Sequence, residues 1–228
     1  MADFNRIFPH GLTGIVFDCD GVMIDSRTAN SFFYNRVLAY FDLPPMTPEQ
    51  EHYSFMATGM QALKHILPVE LHGQINYVIS KVINYEHDIV PMIKMMPGFL
   101  DFTHTCHAWG LRQAVLTNRT DSGIQSVLDF FALPSYFNPV VTASNSQPKP
   151  SPDGVKKICS IWNTRPEDIL LVGDSQHDLK AAIDSGAAFA AFKSEGLDGD
   201  IKISNFVELR DTIIPLMEKS IPETSRRV

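Results

Sequence analysis

From residue 112 onwards the sequence alternates between short apolar segments and segments with helical periodicity. The apolar segments have the length and composition of buried strands and read RQAVLTN, NPVVTAS, DILLVGDS and AFAAF. An earlier segment, residues 14–18, has the same character. Because strands that alternate with helices form right-handed βαβ units, the chain is predicted to be an α/β protein with a Rossmann-like parallel sheet and helices on both faces.

The segment from residue 28 to residue 94 differs from the rest, because it shows helical periodicity and no convincing strand. Its helical stretches are separated by DLPPMTP and LPVE, whose prolines break helices. We therefore expect two domains: an α/β core of residues 1–27 and 95–228, and an all-helical domain of residues 28–94 inserted into it. Residues 218–228 are expected to form a mobile tail of the core.

The composition excludes several classes of partner. The chain of 228 residues has a net charge of −7, which argues against binding to nucleic acid or to an anionic membrane. No stretch has the length or apolar character of a membrane span or a secretory signal. Cys19, Cys106 and Cys159 lie far apart, as expected for reduced thiols in a cytoplasm. We expect a cytoplasmic protein; the oligomeric state is left open, with a monomer favoured.

Polar and charged side chains follow four of the predicted strands. They are Asp18 and Asp20 after the first strand, Thr117 and Asn118 after the second, Lys149 beyond the third, and Asp174 and Asp178 after the fourth. Ligands of open α/β sheets bind at the carboxyl ends of the strands, which lie along one edge. The sequence therefore predicts that all these side chains contribute to one site.

Clustered carboxylates at such an edge indicate a metal site and phosphoryl chemistry. Carboxylates this close need a cation, and hard oxygen ligands suit Mg²⁺. A carboxylate such as Asp18 can attack phosphorus and form an aspartyl-phosphate, while Asp20 can exchange protons with the leaving oxygen and the attacking water. The Thr117 hydroxyl and the Asn118 N–H can bind phosphate oxygens, and Lys149 can neutralise the growing charge.

Four segments then suggest a family. DCDGVMIDS, LTN, KPSP and GDSQHD, in this order and at these intervals, resemble the four motifs of the haloacid dehalogenase superfamily, over about Thr13 to Glu218. The helical segment after the first motif resembles the α-helical cap found in the branch that contains phosphoglycolate phosphatase and β-phosphoglucomutase. The resemblance implies the same fold, an α/β core with a helical cap.

The resemblance also implies roles for the acidic residues. Asp18 would be the nucleophile and a ligand to Mg²⁺, and Asp20 would be the general acid and base and give the metal its main-chain carbonyl. Asp174 would be the remaining protein ligand. Asp178 would be a supporting residue more than a direct ligand.

The other motifs imply phosphate binding and hinges. Thr117 and Asn118 would bind the phosphoryl group, and Lys149 would hold the nucleophile and the phosphate. Residues 21–27 would form a hinge-like flap that lets the cap close, with a second hinge near residues 95–97.

The leading functional hypothesis is a Mg²⁺-dependent phosphomonoester hydrolase, similar to phosphoglycolate phosphatase, that acts on a small phosphorylated metabolite. The acid at Asp20 favours phosphate esters, because superfamily members that cleave C–Cl or C–P bonds lack it. The first alternative is a phosphomutase like β-phosphoglucomutase, which carries a basic residue in its cap. Residues 58–61 offer no cation there, although Lys64 and His65 follow one turn later.

A second alternative comes from another class, a non-catalytic phosphate-binding or phospho-accepting regulatory protein. Receiver domains also use clustered acids on a parallel sheet, but their acceptor ends the third strand, and the corresponding ASNSQ here contains no acid. A silent binding protein would be expected to lack one of the site residues, and none is missing. We expect His177, beside the last motif, to be a solvated loop residue.

Overall fold

The computed structural model describes residues 4–194 and 196–220 and contains a parallel sheet of six strands. The strands are β1 (Gly14–Phe17), β4 (Arg112–Leu116), β5 (Phe137–Val141), β6 (Ile169–Gly173), β7 (Ala188–Phe192) and β8 (Ile201–Ile203). Their order across the sheet is β5-β4-β1-β6-β7-β8. The helices of this part are α1 (Phe4–Ile7), α6 (Phe99–Ala108), α7 (Asp121–Phe130), α8 (Asp153–Trp162), α9 (Gln176–Ser185) and α10 (Phe206–Ser220). The predicted α/β fold class is confirmed.

The central strand β1 explains why the sheet is covered on both faces. Every residue of β1 is buried, and successive side chains enter opposite cores. Phe17 packs edge-on against Phe99 on one face, while Val16 belongs to the core formed with α8 and α9 on the other. An apolar strand of this kind is stable only when helices shield both of its faces.

Register places the ends of three strands side by side. Phe17 pairs with Val115 of β4 and with Val172 of β6, so the residues that follow these three strands emerge at one level of the sheet edge. The N–H of Asp18 still bonds to the Val172 carbonyl at 2.9 Å. The sheet thus brings the first, second and fourth sequence motifs together.

A helical insert, defined here as residues 26–93, separates β2 (Ile24–Asp25) from β3 (Lys94–Met95). Its helices are α2 (Arg27–Tyr40), α3 (Pro48–Met56), α4 (Gly59–Ile66) and α5 (Ile75–Val82), with a 3₁₀ turn at Val69–Gln74 and a π turn at Tyr85–Ile89. The insert has a hydrophobic core of its own, which includes Val37, Leu63 and Val78.

The two-residue strands β2 and β3 pair antiparallel at the two ends of this insert. They fall within or beside the segments that the motif resemblance marks as hinges, and the sequence had given no sign of their pairing. The division into two domains at residues 27–28 and 94–95 stays a prediction.

Other local predictions need correction. The short strand β8 was not predicted, and neither was α3. The stretch from residue 71 to residue 89, where helical periodicity continues without a break in the sequence, is not one helix, because an extended residue, Ile83, divides α5 from the π turn. Capping boxes at Thr47 and Thr58, each with a glutamine three residues later, explain where α3 and α4 begin.

The predicted mobile tail lies mostly outside the described residues, although residues 218–220 still belong to α10. No helix in the described part of the chain combines the length and the apolar character needed to cross a membrane.

Candidate active site

Lys149 joins two carboxylates at the edge of the sheet. Its Nζ donates to Oδ1 of Asp18 and to Oδ1 of Asp178, both at 2.6 Å, and all three side chains are buried. The N–H of Cys19 donates to the same Asp18 oxygen at 2.6 Å. Lys149 is therefore aimed inward at the predicted nucleophile, as its place beyond the third strand suggested.

Asp178 is held by the start of helix α9 as well as by the lysine. Its Oδ2 accepts from the N–H of Ser175 at 3.1 Å and from the Ser175 hydroxyl, while the Ser175 side chain accepts from the Asp178 N–H. This capping box fixes the carboxylate, and both of its oxygens have partners. The arrangement suits the supporting role that the motif resemblance implies for Asp178.

Asp174 lies close to both carboxylates. One oxygen from each of Asp18, Asp174 and Asp178 falls within 4.8 Å of the others. Gly21, at a φ of +83°, passes so close that a Cβ there would lie 2.0 Å from Oδ2 of Asp174. Nη2 of Arg27 is 3.7 Å from that same oxygen. Glycine at position 21 is thus required by contact as well as by backbone conformation.

Burial and mutual repulsion raise the pKa values of two carboxyl groups in this cluster. Burial, followed by the charge of Asp178, raises the pKa of Asp174 to about 7. The same two causes raise the pKa of Asp18 well above its ordinary value, against the opposing charge of Lys149. The pKa of Lys149 is also raised, since the attraction of Asp178 and Asp18 exceeds the effect of burial. One lysine does not compensate three carboxylates.

Asp20 has a partner that the sequence reasoning missed. Arg119 donates from Nε to Oδ2 of Asp20 at 2.8 Å and from Nη2 to Oδ1 at 2.7 Å, and its Nη1 donates to the Tyr85 hydroxyl. The Ser26 hydroxyl also donates to Asp20. Burial alone would raise the pKa of Asp20, but the charge and hydrogen bonds of Arg119 hold it below its ordinary value. The only signal for this role was a basic residue directly after the LTN motif.

Asn118 connects the sheet edge to the helical insert. Its side-chain amide donates at 3.0 Å to the carbonyls of Met56 and Lys149, and its oxygen accepts from the Lys149 N–H at 2.8 Å. Nδ1 of His177 lies 3.0 Å from the Met56 carbonyl oxygen. The interpretation of His177 as a solvated loop residue was wrong, because it lies partly buried on α9 against the insert.

Thr117 follows β4 beside Asp18 and is buried. Its hydroxyl accepts from the Arg119 N–H at 3.1 Å. Its predicted contact with a phosphoryl group, and that of the Asn118 N–H, stay predictions.

A cavity of about 1050 Å³ opens over this cluster. Its floor includes Asp18, Asp20, Lys149 and Asp174, and its opposite wall comes from the helical insert. Cavities of this size hold ligands up to drug size. The candidate active site therefore has a floor of charged residues from the sheet edge and an opposite wall formed by the helical insert.

The donor set fits Mg²⁺. Two buried carboxylates and one partly buried one, with oxygens within 4.8 Å of one another, offer the hard ligands that this ion prefers. The raised pKa values of Asp18 and Asp174 show that negative charge here lacks compensation, which a dication would supply. Because both oxygens of Asp178 already have partners, Asp18 and Asp174 are the better candidates for ligands.

Comparison with known families agrees with these features. The family model of the haloacid dehalogenase-like hydrolases matches residues 15–192, which is more than half of the chain. The chain belongs to the haloacid dehalogenase-like hydrolase family. The motif resemblance and the predicted enzyme class, a hydrolase of this superfamily, are thus confirmed.

Individual relatives are similar over most of this hydrolase. A phosphoglycolate phosphatase from Chromobacterium violaceum is 24% identical, and the match covers 88% of this chain and 96% of the relative. A phosphoglycolate phosphatase from Aquifex aeolicus is 26% identical, with 92% of this chain and 98% of the relative covered.

Solved structures give the same result. A haloacid dehalogenase superfamily hydrolase of subfamily IA from Geobacter sulfurreducens is 30% identical with a TM-score of 0.71, covering 90% of this chain and 98% of that chain. A hydrolase from Pseudomonas syringae, at 20% identity and a TM-score of 0.73 over 88% of this chain and 97% of that chain, shares the fold.

Proposed function

We propose that this hydrolase is a Mg²⁺-dependent phosphomonoesterase that acts on a small phosphorylated metabolite and forms an aspartyl-phosphate on Asp18. The proposal is carried by one observation: the carboxylate of Asp18, held by Lys149 beside Asp174, lies on the floor of a large cavity. The names of the phosphoglycolate phosphatases among its relatives support the same class of reaction.

In the first step a carboxylate oxygen of Asp18 attacks phosphorus, and the bond from phosphorus to the ester oxygen breaks. Asp20 gives its proton to the leaving alcohol. In the second step water attacks the phosphorus of the aspartyl-phosphate, Asp20 takes a proton from that water, and inorganic phosphate leaves with Asp18 restored. Lys149 keeps the Asp18 carboxylate in place throughout.

Arg119 holds Asp20 in its ionised form, which is the form needed in the second step. The first step needs a proton on Asp20, so the ion pair has to weaken when the ester binds. A metal held by Asp18 and Asp174 would supply positive charge to the phosphoryl oxygens.

The arrangement of the insert favours hydrolysis over the mutase alternative. A mutase must hold a second phosphate away from the reacting one, which requires a cation in the wall of the cavity. Lys64 is exposed and His65 packs on Tyr53 at a ring distance of 4.1 Å, and neither lines the cavity. Family membership among hydrolases also weighs against the regulatory alternative.

The test is hydrolysis of p-nitrophenyl phosphate with Mg²⁺ and with EDTA, by the wild type, Asp18→Asn and Asp198→Asn. Asp198 is a fully exposed acid outside the cavity lining and serves as the control. We expect metal-dependent turnover that Asp18→Asn lowers by at least about 10³-fold and Asp198→Asn leaves nearly unchanged. Full activity of Asp18→Asn would refute the proposal.

A further inference from the structure

The wall that the helical insert contributes to the cavity is mainly apolar. Its large apolar side chains include Phe33, Phe55, Met60, Leu63, Ile79 and Ile83. Uncharged polar groups such as Asn30, Thr58 and Gln61 lie between them. A surface of this composition binds a ligand by burying apolar area and by a few neutral hydrogen bonds.

Positive charge is confined to the floor. Among the described residues that line the cavity, the basic side chains are Lys149 and Arg119, and both are engaged in ion pairs. Arg27, the next cation, lines a separate cavity of about 210 Å³, where it packs over the ring of Phe55 at 4.3 Å. In the described part of the insert, no basic residue is among those that line the large cavity, and Arg27 reaches its edge only at Asp174, where its Nη2 lies 3.7 Å from Oδ2.

Negative charge is already in excess. Besides Asp18, Asp20 and Asp174 on the floor, the insert contributes Glu86 to the lining. A second anionic group on the substrate would meet an apolar wall and an acid, because the cations at or beside the floor already face carboxylates. Burying a carboxylate or phosphate without a cation to pair with it is unfavourable, so the charge distribution of this cavity selects against a second anionic group.

We propose that the leaving group of the natural substrate is an uncharged alcohol with an apolar or aromatic body, and that phosphorylated carboxylic acids and bisphosphates are poor substrates. The proposal rests on the phosphomonoesterase function put forward above. The substrate proposed for this chain therefore differs from phosphoglycolate, the substrate in the name of its phosphoglycolate phosphatase relatives. The cavity volume of about 1050 Å³ also exceeds what a two-carbon body fills.

The experiment compares kcat/KM within two pairs of esters, in each of which one member carries a carboxylate that the other lacks. The first pair is 2-hydroxyethyl phosphate and 2-phosphoglycolate, and the second is phenyl phosphate and 4-carboxyphenyl phosphate. In the second pair the carboxylated phenol is the better leaving group, which works against our expectation. We expect kcat/KM to be at least about tenfold higher for the neutral member of each pair, and higher for phenyl than for hydroxyethyl phosphate.

Variants at Met60, which lines the wall and is exposed, test whether the preference depends on charge. Met60→Lys should lower the preference for the neutral esters by about tenfold, whereas Met60→Gln, which adds polarity without charge, should leave that ratio close to the wild-type value. Equal or better hydrolysis of the carboxylated esters by the wild type would overturn the assignment of the leaving group alone. Hydrolysis of no ester at all would overturn the phosphomonoesterase function and the assignment with it.

Discussion

Arg119 and Asp20 form a bidentate ion pair beneath the cavity, with N···O distances of 2.8 and 2.7 Å and side chains only 10% and 16% exposed. The guanidinium also reaches the Tyr85 hydroxyl of the helical insert. The ion pair therefore links the proposed acid and base to the segment that precedes β3. A planar, two-pronged contact of this kind holds a carboxylate in one orientation.

Replacement of Arg119 should change the pH dependence of catalysis as well as its rate. Arg119→Ala removes the charge that lowers the pKa of Asp20, so the acidic limb of the kcat profile should move to higher pH. We expect kcat to fall by about 10²-fold and Arg119→Lys to restore part of it. A pH–rate profile of the three proteins measures this, and an unchanged acidic limb would contradict the role given to Arg119.

The same substitution should destabilise the protein. Arg119→Ala leaves the buried carboxylate of Asp20 without its partner, and we expect a loss of about 3 kcal/mol in the free energy of unfolding. Arg165→Ala is the control, because Arg165 makes a similar two-pronged contact with Asp168 but is half exposed. Its loss should be about 1 kcal/mol or less. Equal losses in urea unfolding would show that burial of the Asp20 pair is unimportant.

Lys149 should be essential for stability as well as for chemistry. Lys149→Met leaves Asp18 and Asp178 buried without a cation, at a cost of about 3–5 kcal/mol. Adding Asp178→Asn should recover about 1–3 kcal/mol, because one of the repelling charges is removed. Lys180→Met, at an exposed pair with Asp184, should cost less than about 0.5 kcal/mol. If the double variant were no more stable than Lys149→Met, repulsion between Asp18 and Asp178 would not account for the loss.

Substitutions at two glycines distinguish the effect of backbone strain from the effect of steric contact with Asp174. Gly11 and Gly21 both have positive φ, but a Cβ at Gly11 meets nothing within 4 Å, whereas one at Gly21 would overlap Asp174. Gly11→Ala should cost about 1 kcal/mol and leave Mg²⁺ affinity unchanged. Gly21→Ala should cost more and weaken Mg²⁺ binding at least about tenfold, measured by calorimetry. Equal Mg²⁺ affinity in both variants would place the metal away from Asp174.

Binding of Mg²⁺ should release a proton below neutral pH. With the pKa of Asp174 raised to about 7 by burial and by Asp178, a ligating Asp174 must lose its proton first. Apparent affinity should therefore fall below pH 7, by about tenfold per pH unit from Asp174 alone and more steeply where Asp18, whose pKa is also raised, binds a proton. Titrations in buffers of different ionisation enthalpy would detect the released proton. If Mg²⁺ affinity depended on pH equally steeply in Asp174→Asn, the proton would not come from Asp174.

The metal-free protein should lose stability as the pH rises. Asp174 has a folded pKa above its unfolded value, so its contribution is fully present below the unfolded value and is lost as the pH rises through about 7. The raised pKa of Asp18 acts in the same direction. Unfolding in EDTA should show this decline between about pH 4 and 7, with a smaller slope in Asp174→Asn. A rise in the free energy of unfolding over this pH range would contradict a raised pKa of Asp174 in the folded protein.

The fold class could be predicted because buried parallel strands leave continuous apolar runs, as residues 14–17 and 169–172 do. Asp18, Lys149 and Asp174 could be predicted to lie together because strand ends share one edge of the sheet. The edge strand β8 was missed because it has three residues, one of them Lys202, and so leaves too short a pattern.

Long-range contacts with the helical insert could not be predicted in the same way. The carbonyl of Met56 meets Asn118 and His177, which lie more than 60 residues away, and a backbone acceptor has no sequence signature. Arg119 resembled an ordinary turn residue, because its partner Asp20 is 99 positions distant. Such contacts follow from how the insert packs on the sheet, which a local pattern does not encode.

The central claim, that Asp18 carries the phosphoryl group, is tested most directly by trapping the intermediate. Asp20→Asn should slow attack by water, while p-nitrophenyl phosphate needs little protonation of its leaving group. We predict that acid quenching of this variant with Mg²⁺ yields a peptide that contains Asp18, has gained the mass of one phosphoryl group, and loses it to hydroxylamine. Phosphorylation of another residue, or release of p-nitrophenol at the wild-type steady rate with no phosphopeptide, would contradict the account.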